Sequence, residues 1–253
     1  VAFLISLGVY AWTVAPSVTL LDSGEFLVAG QHFGVPHPTG YPLWTVLAWL
    51  FSLLPMGNAA WEINLLSGVF GALAVGLTAA LARSFLRWMY PGAAVRGLAS
   101  VSAISAALLF AFSFSMWSQA VITEVYTLHA LLVGCFLATM YAWVRRPERE
   151  RPLFASFLLL ALAFGHHQLT MTLAPLPFLL VLLVRRRIFW DLVVGACVTA
   201  SLFYLLLAWL SKDALVVKAA IRLGYGVLLV VAVFIYWRKW AGLRFVLILP
   251  LVV

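Results

Sequence analysis

Apolar runs of about 15 to 20 residues recur along the whole chain, closed by short polar breaks in which arginine predominates. This pattern constrains the fold more than any motif does. A helix crossing a bilayer needs about 20 apolar residues, whereas a barrel strand would show alternation over about ten. The chain of 253 residues is 65% hydrophobic and 9% charged, with a mean hydropathy of +1.09, which removes it from the soluble globular class. The expected fold is all-α, a polytopic integral membrane helical bundle.

Expected spans are 1–16, 63–83, 98–117, 125–144, 153–165, 169–184, 188–210, 223–237 and one starting near Phe245, about nine in a single transmembrane domain over 1–253. The chain begins at Val1 and ends inside the apolar run "RFVLILPLVV", so it reads as a portion of a longer protein. Its first span reads as truncated rather than as a signal peptide. Cys135 and Cys197 each fall mid-span, where a small buried thiol is the expected reading and a disulfide is not.

One stretch departs from the lipid-like pattern. "DSGEFLVAGQHFGVPHPTGYPLW", Asp22 to Trp44, gathers two acids, two histidines and three prolines. The apolar segment that follows, Tyr41 to Pro55, is only about 15 residues long and has a proline near each end, which suits a juxtamembrane helix better than a crossing. Leaving it out of the crossings makes 17–61 a first external loop with juxtamembrane helices. It also puts 13 of the 16 basic residues on one face, in the groups 83–96, 145–151, 185–187 and 238–244. By the positive-inside rule that face is cytoplasmic, and the basic clusters fix orientation rather than bind nucleic acid. The polar breaks at Asp22 to Trp44, Gln119 to Glu124, Gly165 to Thr170 and Lys212 to Arg222 then converge on the opposite face. In a bacterial cell this would be an inner-membrane protein with its active face toward the periplasm.

Each polar group in those breaks has a structural and a chemical reading. Asp22 and Glu25 form a D-x-x-E pair that suits a capping box, with Asp22 as N-cap, Glu25 at N3 and Gly34 ending the helix. A carboxylate at the lip of a membrane cavity is also costly unless solvated or paired, which points to function. His37, set between two prolines in "GVPHPTGYP", is stiff for a connector. In "TEVYTLH", Tyr126 and His129 lie three apart on one helix face, with Glu124 at its mouth; interfacial anchoring explains the aromatics and only part of the acid. His166 and His167 follow a short apolar run and are expected in a cavity, where two adjacent residues of a helix cannot both ligate one metal. Lys212, Lys218 and Arg222 read equally as a solvated loop or as a clamp for a lipid-linked phosphate.

No H-E-x-x-H, C-x-x-C, P-loop, G-x-G-x-x-G or G-x-S-x-G element occurs, so zincins, nucleotide-binding folds and serine hydrolases have no support. A divalent metal would need Asp22, Glu25 and histidines assembled across helices, which the sequence permits without showing; no metal ligand and no certain cofactor is assigned.

"LLDSGEF", "HPTGYPLW", "TEVYTLH" and "GHHQLT", in that order, resemble the GT-C class of membrane glycosyltransferases, and more narrowly the protein O-mannosyltransferase-like family once described only as a domain of unknown function. The resemblance covers about residues 1–187. It implies a GT-C-like bundle and inverting transfer of a sugar, with mannose the candidate, from a polyprenyl-phosphate carrier to an extracytoplasmic acceptor, a protein Ser or Thr hydroxyl or a glycan. Asp22 takes the place of the family's catalytic base in the first loop, with Glu25 beside it. His37, Glu124, Tyr126, His129, His166 and His167 are then candidates to position sugar and phosphate, and Tyr41 and Trp44 to pack on prenyl or sugar. Two other readings stand beside it: a non-catalytic subunit packing on partners inside a membrane complex, and a transporter, for which midplane charges and an inverted repeat would be expected.

Overall fold

The computed structural model describes residues 1–38, 40–92 and 95–210, with Ala219 and Val227. Every regular element among the described residues is a helix, as the apolar periodicity requires. The spans expected at 223–237 and from Phe245, and the basic residues Lys212, Lys218 and Arg222, lie outside the described residues.

The chain forms two compact units. The first, Val1–Arg145 with Arg149–Thr172, contains α1 (Ala2–Thr13), α2 (Ser23–His32), α3 (Pro42–Ser52), α4 (Ala59–Met89), α5 (Val95–Ala111), α6 (Phe114–Ala120), α7 (Tyr126–Arg145) and α8 (Glu150–His166). A 3-10 turn, Gln168–Leu173, follows α8. The second unit includes Arg146–Glu148 and the chain from Leu173, where α9 (Pro175–Val184) packs on α10 (Arg186–Leu210) and Arg185 Nη1 donates to the Pro147 carbonyl at 3.0 Å.

Among the described residues two helices are long and apolar enough to cross a membrane, α4 and α7. A third crossing results if α5 and α6, bent by 65° at the break between them, act as one span. The bend falls where Ser113 takes an extended backbone and its hydroxyl accepts the Met116 N–H at 3.3 Å, starting a new helix inside the single span expected over 98–117. α1, of 12 residues, and α8, of 17, reach about 18 and 26 Å at 1.5 Å per residue, short of a hydrocarbon core of about 30 Å. The stretch expected as one span over 169–184 is divided between the 3-10 turn and α9, because Pro175 and Pro177 cannot continue a helical ladder from before them.

α4 exceeds its expected range at both ends. Asn58 caps it, its Oδ1 accepting the Ala60 and Trp61 N–H groups at 3.0 and 3.2 Å, and nothing breaks it before Pro91. At about 46 Å it forms the axis of the first unit. α7 lies alongside in the same direction, with the Ser67 hydroxyl donating to the Glu124 carbonyl at 3.2 Å near one end and the Ser84 hydroxyl 3.3 Å from the Tyr141 hydroxyl near the other. Small residues permit the approach: a Cβ on Gly134 of α7 would sit 3.0 Å from Leu77 Cδ2 of α4, and one on Gly71 would sit 3.2 Å from Ala120 Cβ of α6 and from the Tyr10 ring of α1. Tyr10 is fully buried, and its hydroxyl donates to the Ala111 carbonyl at 2.7 Å, tying α1 to the end of α5.

α2 and α3, of 10 and 11 residues, are too short to cross. They fold over the start of α4, where Phe26, Leu27, Tyr41, Trp44, Ile63 and Leu128 form one buried cluster. Gly30 is required at this junction, since a Cβ there would lie 2.9 Å from Ala48 Cβ.

Candidate functional site

The site lies in the first unit, where α2 begins beside the start of α7. Its floor is the irregular stretch between α6 and α7. The Ser23 hydroxyl donates to the Thr123 carbonyl at 3.0 Å. The Thr123 hydroxyl donates to Asn64 Oδ1, and Asn64 Nδ2 donates to the Ala15 and Ser17 carbonyls at 2.8 and 3.1 Å. The Ser67 hydroxyl accepts the Glu124 N–H at 3.2 Å, and His166 Nε2–H donates to the Val125 carbonyl at 3.0 Å. Three consecutive residues are thus held from α2, α4 and α8, which serves the Thr123 carbonyl and the Glu124 N–H and carbonyl and fixes the backbone of Glu124, while the Val125 carbonyl also accepts the His129 N–H at 3.1 Å. Sequence reading missed Ser23, Asn64, Ser67 and Thr123; the available signal was two polar groups, Asn64 and Ser67, inside an otherwise apolar span, and two small hydroxyls within the polar breaks.

Asp22 occupies the N-cap position of α2 as expected, but the capping box does not form. Its backbone is helical, at φ −80° and ψ 0°, and its side chain makes no capping hydrogen bond; an N-cap needs an extended backbone to turn its oxygen onto the first turn. Glu25 is engaged elsewhere. Its Oε1 accepts the His37 backbone N–H at 2.6 Å, and its Oε2 accepts His37 Nδ1–H at 2.9 Å. Nor does Gly34 make the left-handed end of the helix: Phe33 does, at φ 53°, while the Gly34 N–H donates to the Ala29 carbonyl at 2.8 Å.

The proline-rich turn is thereby anchored, and the His37 carbonyl accepts the Gly40 N–H at 2.8 Å. Beyond it Tyr41 is left-handed at φ 43°. The non-glycine left-handed residues among those described are Leu21, Phe33 and Tyr41, the last two inside the polar segment Asp22 to Trp44 and the first immediately before it. Such positions store strain and persist where their surroundings over-determine them.

From His37 a chain of rings runs inward. The His37 ring lies 5.3 Å from Phe26 and 5.5 Å from Tyr41; Tyr41 is 5.8 Å from His166 and 6.1 Å from His167. His167 is 5.1 Å from His129 and 5.4 Å from Tyr126. The two adjacent histidines point differently, as a helix end requires: His166 holds Val125, while His167 Nδ1 accepts the Leu169 N–H at 3.2 Å and so carries no proton on that nitrogen. His129 Nδ1 is buried without a hydrogen-bond partner, a cost retained in folded proteins where a ligand or ordered water supplies the bond. Trp44 is fully buried beneath Phe26 at 5.2 Å, so its role is packing under the site. Nine of the sequence-predicted residues, Asp22, Glu25, His37, Tyr41, Glu124, Tyr126, His129, His166 and His167, therefore gather at one end of the unit.

The electrostatics follow from those contacts. The hydrogen bond with Glu25 raises the His37 pKa above 6.5, and the same bond lowers Glu25 below 4.5, so each group favours the charged form of the other. Burial raises Glu124 above 4.5, offset in part by a hydrogen bond from the Val125 N–H. Asp22 and His37 both lie within electrostatic range of Glu124. Ligand atoms of Asp22, Glu25 and His37 lie within 4.8 Å of one another, a set of donors suited to a divalent ion. An ion there would have to displace the His37 Nδ1 bond to Glu25.

The family described as "Protein O-mannosyl-transferase TMEM260 N-terminal domain" matches residues 22–190, beginning at Asp22. The chain is 37% identical over 131 residues to the protein O-mannosyl-transferase TMEM260 of Mus musculus, covering 51% of this chain and 17% of that protein. It is 29% identical over 203 residues to the corresponding protein of Dictyostelium discoideum, covering 73% of this chain and 23% of that protein. The chain thus spans less than a quarter of the length of these curated relatives. No solved structure gives a significant match. These relatives lend nothing to a bacterial setting, and the apolar helices mark a membrane protein. With the match covering more than half of its length, the chain belongs to the TMEM260 N-terminal domain family of protein O-mannosyl-transferases.

Proposed function

We propose that this chain is the membrane-embedded catalytic portion of a protein O-mannosyltransferase, taking the sugar from a polyprenyl-phosphate carrier on the face opposite the arginine clusters. The observation that carries the reading is the difference between two neighbouring carboxylates. Glu25 has both oxygens committed to His37, whereas Asp22 is exposed and its side chain is not spent on capping the helix. A general base must be uncommitted and within reach of the proton it takes.

In the proposed step the acceptor Ser or Thr oxygen attacks the anomeric carbon as its proton passes to an Asp22 carboxylate oxygen. The bond from that carbon to the phosphate oxygen breaks, its electron pair leaves with the phosphate, and configuration inverts. His37, fixed by Glu25, which favours its protonated form, lies beside the acids, and His129 offers an unpaired ring nitrogen to the sugar or phosphate. Lys212, Lys218 and Arg222 keep their proposed role as a phosphate clamp. No residue assignment here needs a metal.

The test is mannose transfer from a synthetic prenyl-phosphate mannose to a Ser/Thr peptide by the full-length protein. Asp22→Asn should lower turnover by about 10³-fold, within the range for general-base loss, with its melting temperature unchanged. Turnover retained by a folded Asp22→Asn variant would remove Asp22 as the base.

A further inference from the structure

At the other end of α4 and α7, about 24 Å along the axis from Ser67, lies a cavity of about 310 Å³ lined by Arg83, Arg87, Arg145, Ser84 and Trp88. The arginines come from the last turns of the two helices that are long enough to cross a membrane, so they sit at one membrane surface. Each is exposed. The walls are ordered by their own contacts. The Arg145 guanidinium lies 5.7 Å over the Tyr141 ring, Tyr141 pairs with Ser84, and Trp88 is 5.9 Å from Tyr141.

A second cavity, of about 260 Å³, opens between α1, α4 and α5 and is lined largely by apolar groups, among them Phe3, Ala79, Ala103 and Ile104. Ala80 and Arg83 line both cavities. A cationic cavity and an apolar one therefore share a wall.

We infer that this pair of cavities binds an anionic membrane phospholipid, its phosphate held by Arg83, Arg87 and Arg145 and an acyl chain lying along Ala80 into the groove beside Phe3. Guanidinium groups present paired donors that match phosphate oxygens. Arginines that only fixed orientation would need neither the shared apolar wall nor the aromatic side. A soluble phosphate would use the arginines and leave the second cavity unused.

The full-length protein in detergent, titrated with dioleoyl phosphatidic acid or dioleoyl phosphatidylcholine and read by native mass spectrometry and by melting temperature, tests this. Phosphatidic acid should be retained in preference to phosphatidylcholine. Each arginine replaced by glutamine should weaken it about fivefold, and Arg83→Gln, Arg87→Gln and Arg145→Gln together about a hundredfold. Arg149→Gln with Arg151→Gln, on the same side but outside the cavity, should change it less than about twofold. Ala80→Leu, which fills the shared wall and keeps every charge, should also weaken the lipid about fivefold, and tests the site if the triple variant does not fold. Equal retention of both lipids, an equal loss in the Arg149/Arg151 variant, or glycerol phosphate binding as tightly as the lipid would each overturn the proposal.

Discussion

The two ends of the α4 and α7 pair handle charge in opposite ways. At the acid end Glu25 holds the proline turn through both of its oxygens, and three residues of the α6–α7 stretch are fixed from three different helices. At the arginine end the cations line an open cavity in which none of the described lining residues is a carboxylate. Preorganisation is costly, and a protein maintains it where geometry governs a reaction. Attraction to a headgroup needs only charge and access. The difference teaches that burial and hydrogen bonding, more than charge count, mark the end where chemistry is expected.

Glycine substitution should break the comparison most strongly. Gly30→Ala drives a Cβ to 2.9 Å from Ala48 Cβ and 3.2 Å from Ile63, contacts carried on packed helices. It should cost about 1 to 3 kcal/mol and separate α2 from α3. Gly97, in α5, has open space around the position of a Cβ, so Gly97→Ala should stabilise by up to about 1 kcal/mol through helix propensity. Thermal unfolding of both variants in one detergent checks the pair; equal effects would mean that the acid end is no more tightly packed than the other.

The next effect is on activity. Glu25→Gln removes the charge that orients His37 and should lower kcat/KM by about tenfold through misplacement of the turn, far less than Asp22→Asn. The pair contributes fully only between the two pKa values. It is lost as pH falls through the lowered pKa of Glu25, and again as pH rises through the raised pKa of His37. Histidine NMR should show His37 titrating above 6.5 in the native protein and falling back toward that value in Glu25→Gln. An unchanged His37 titration would mean that Glu25 does not hold it.

Much of this was legible in the sequence. Apolar runs with arginine breaks gave the helical membrane class, and the polar breaks gave nine residues that the fold brings together. What was not legible has physical causes. The D-x-x-E spacing suits a capping box, yet whether it forms depends on the backbone of Asp22, which is helical at φ −80° and ψ 0°. Glu25 finds a stronger partner twelve residues away, and sequence spacing does not reveal that the proline turn folds back. The clamp built from Asn64 and Ser67 depends on the parallel packing of α4 and α7, and each residue alone reads as a tolerated polar group in an apolar helix. The break at Ser113 was hidden because serine is common inside membrane helices and carries no marker of an extended backbone.

The smallest effect should sharpen the comparison through its sign. Glu124 is buried and its pKa is raised, burial being the leading cause, so the folded state binds its proton more tightly than the unfolded chain does. Stability from this residue therefore declines as pH rises from about 4.5 through the raised pKa and levels off above it. Glu124→Gln keeps the shape, removes the charge and abolishes that dependence. The variant should melt higher than the native protein at pH 8 and converge with it at pH 4, while transfer activity falls. A surface carboxylate would give no such divergence, and a residue kept only for packing would leave activity unchanged. A higher melting point joined to lower activity would mean that the acid end accepts a less stable fold in order to keep a buried charge beside Asp22.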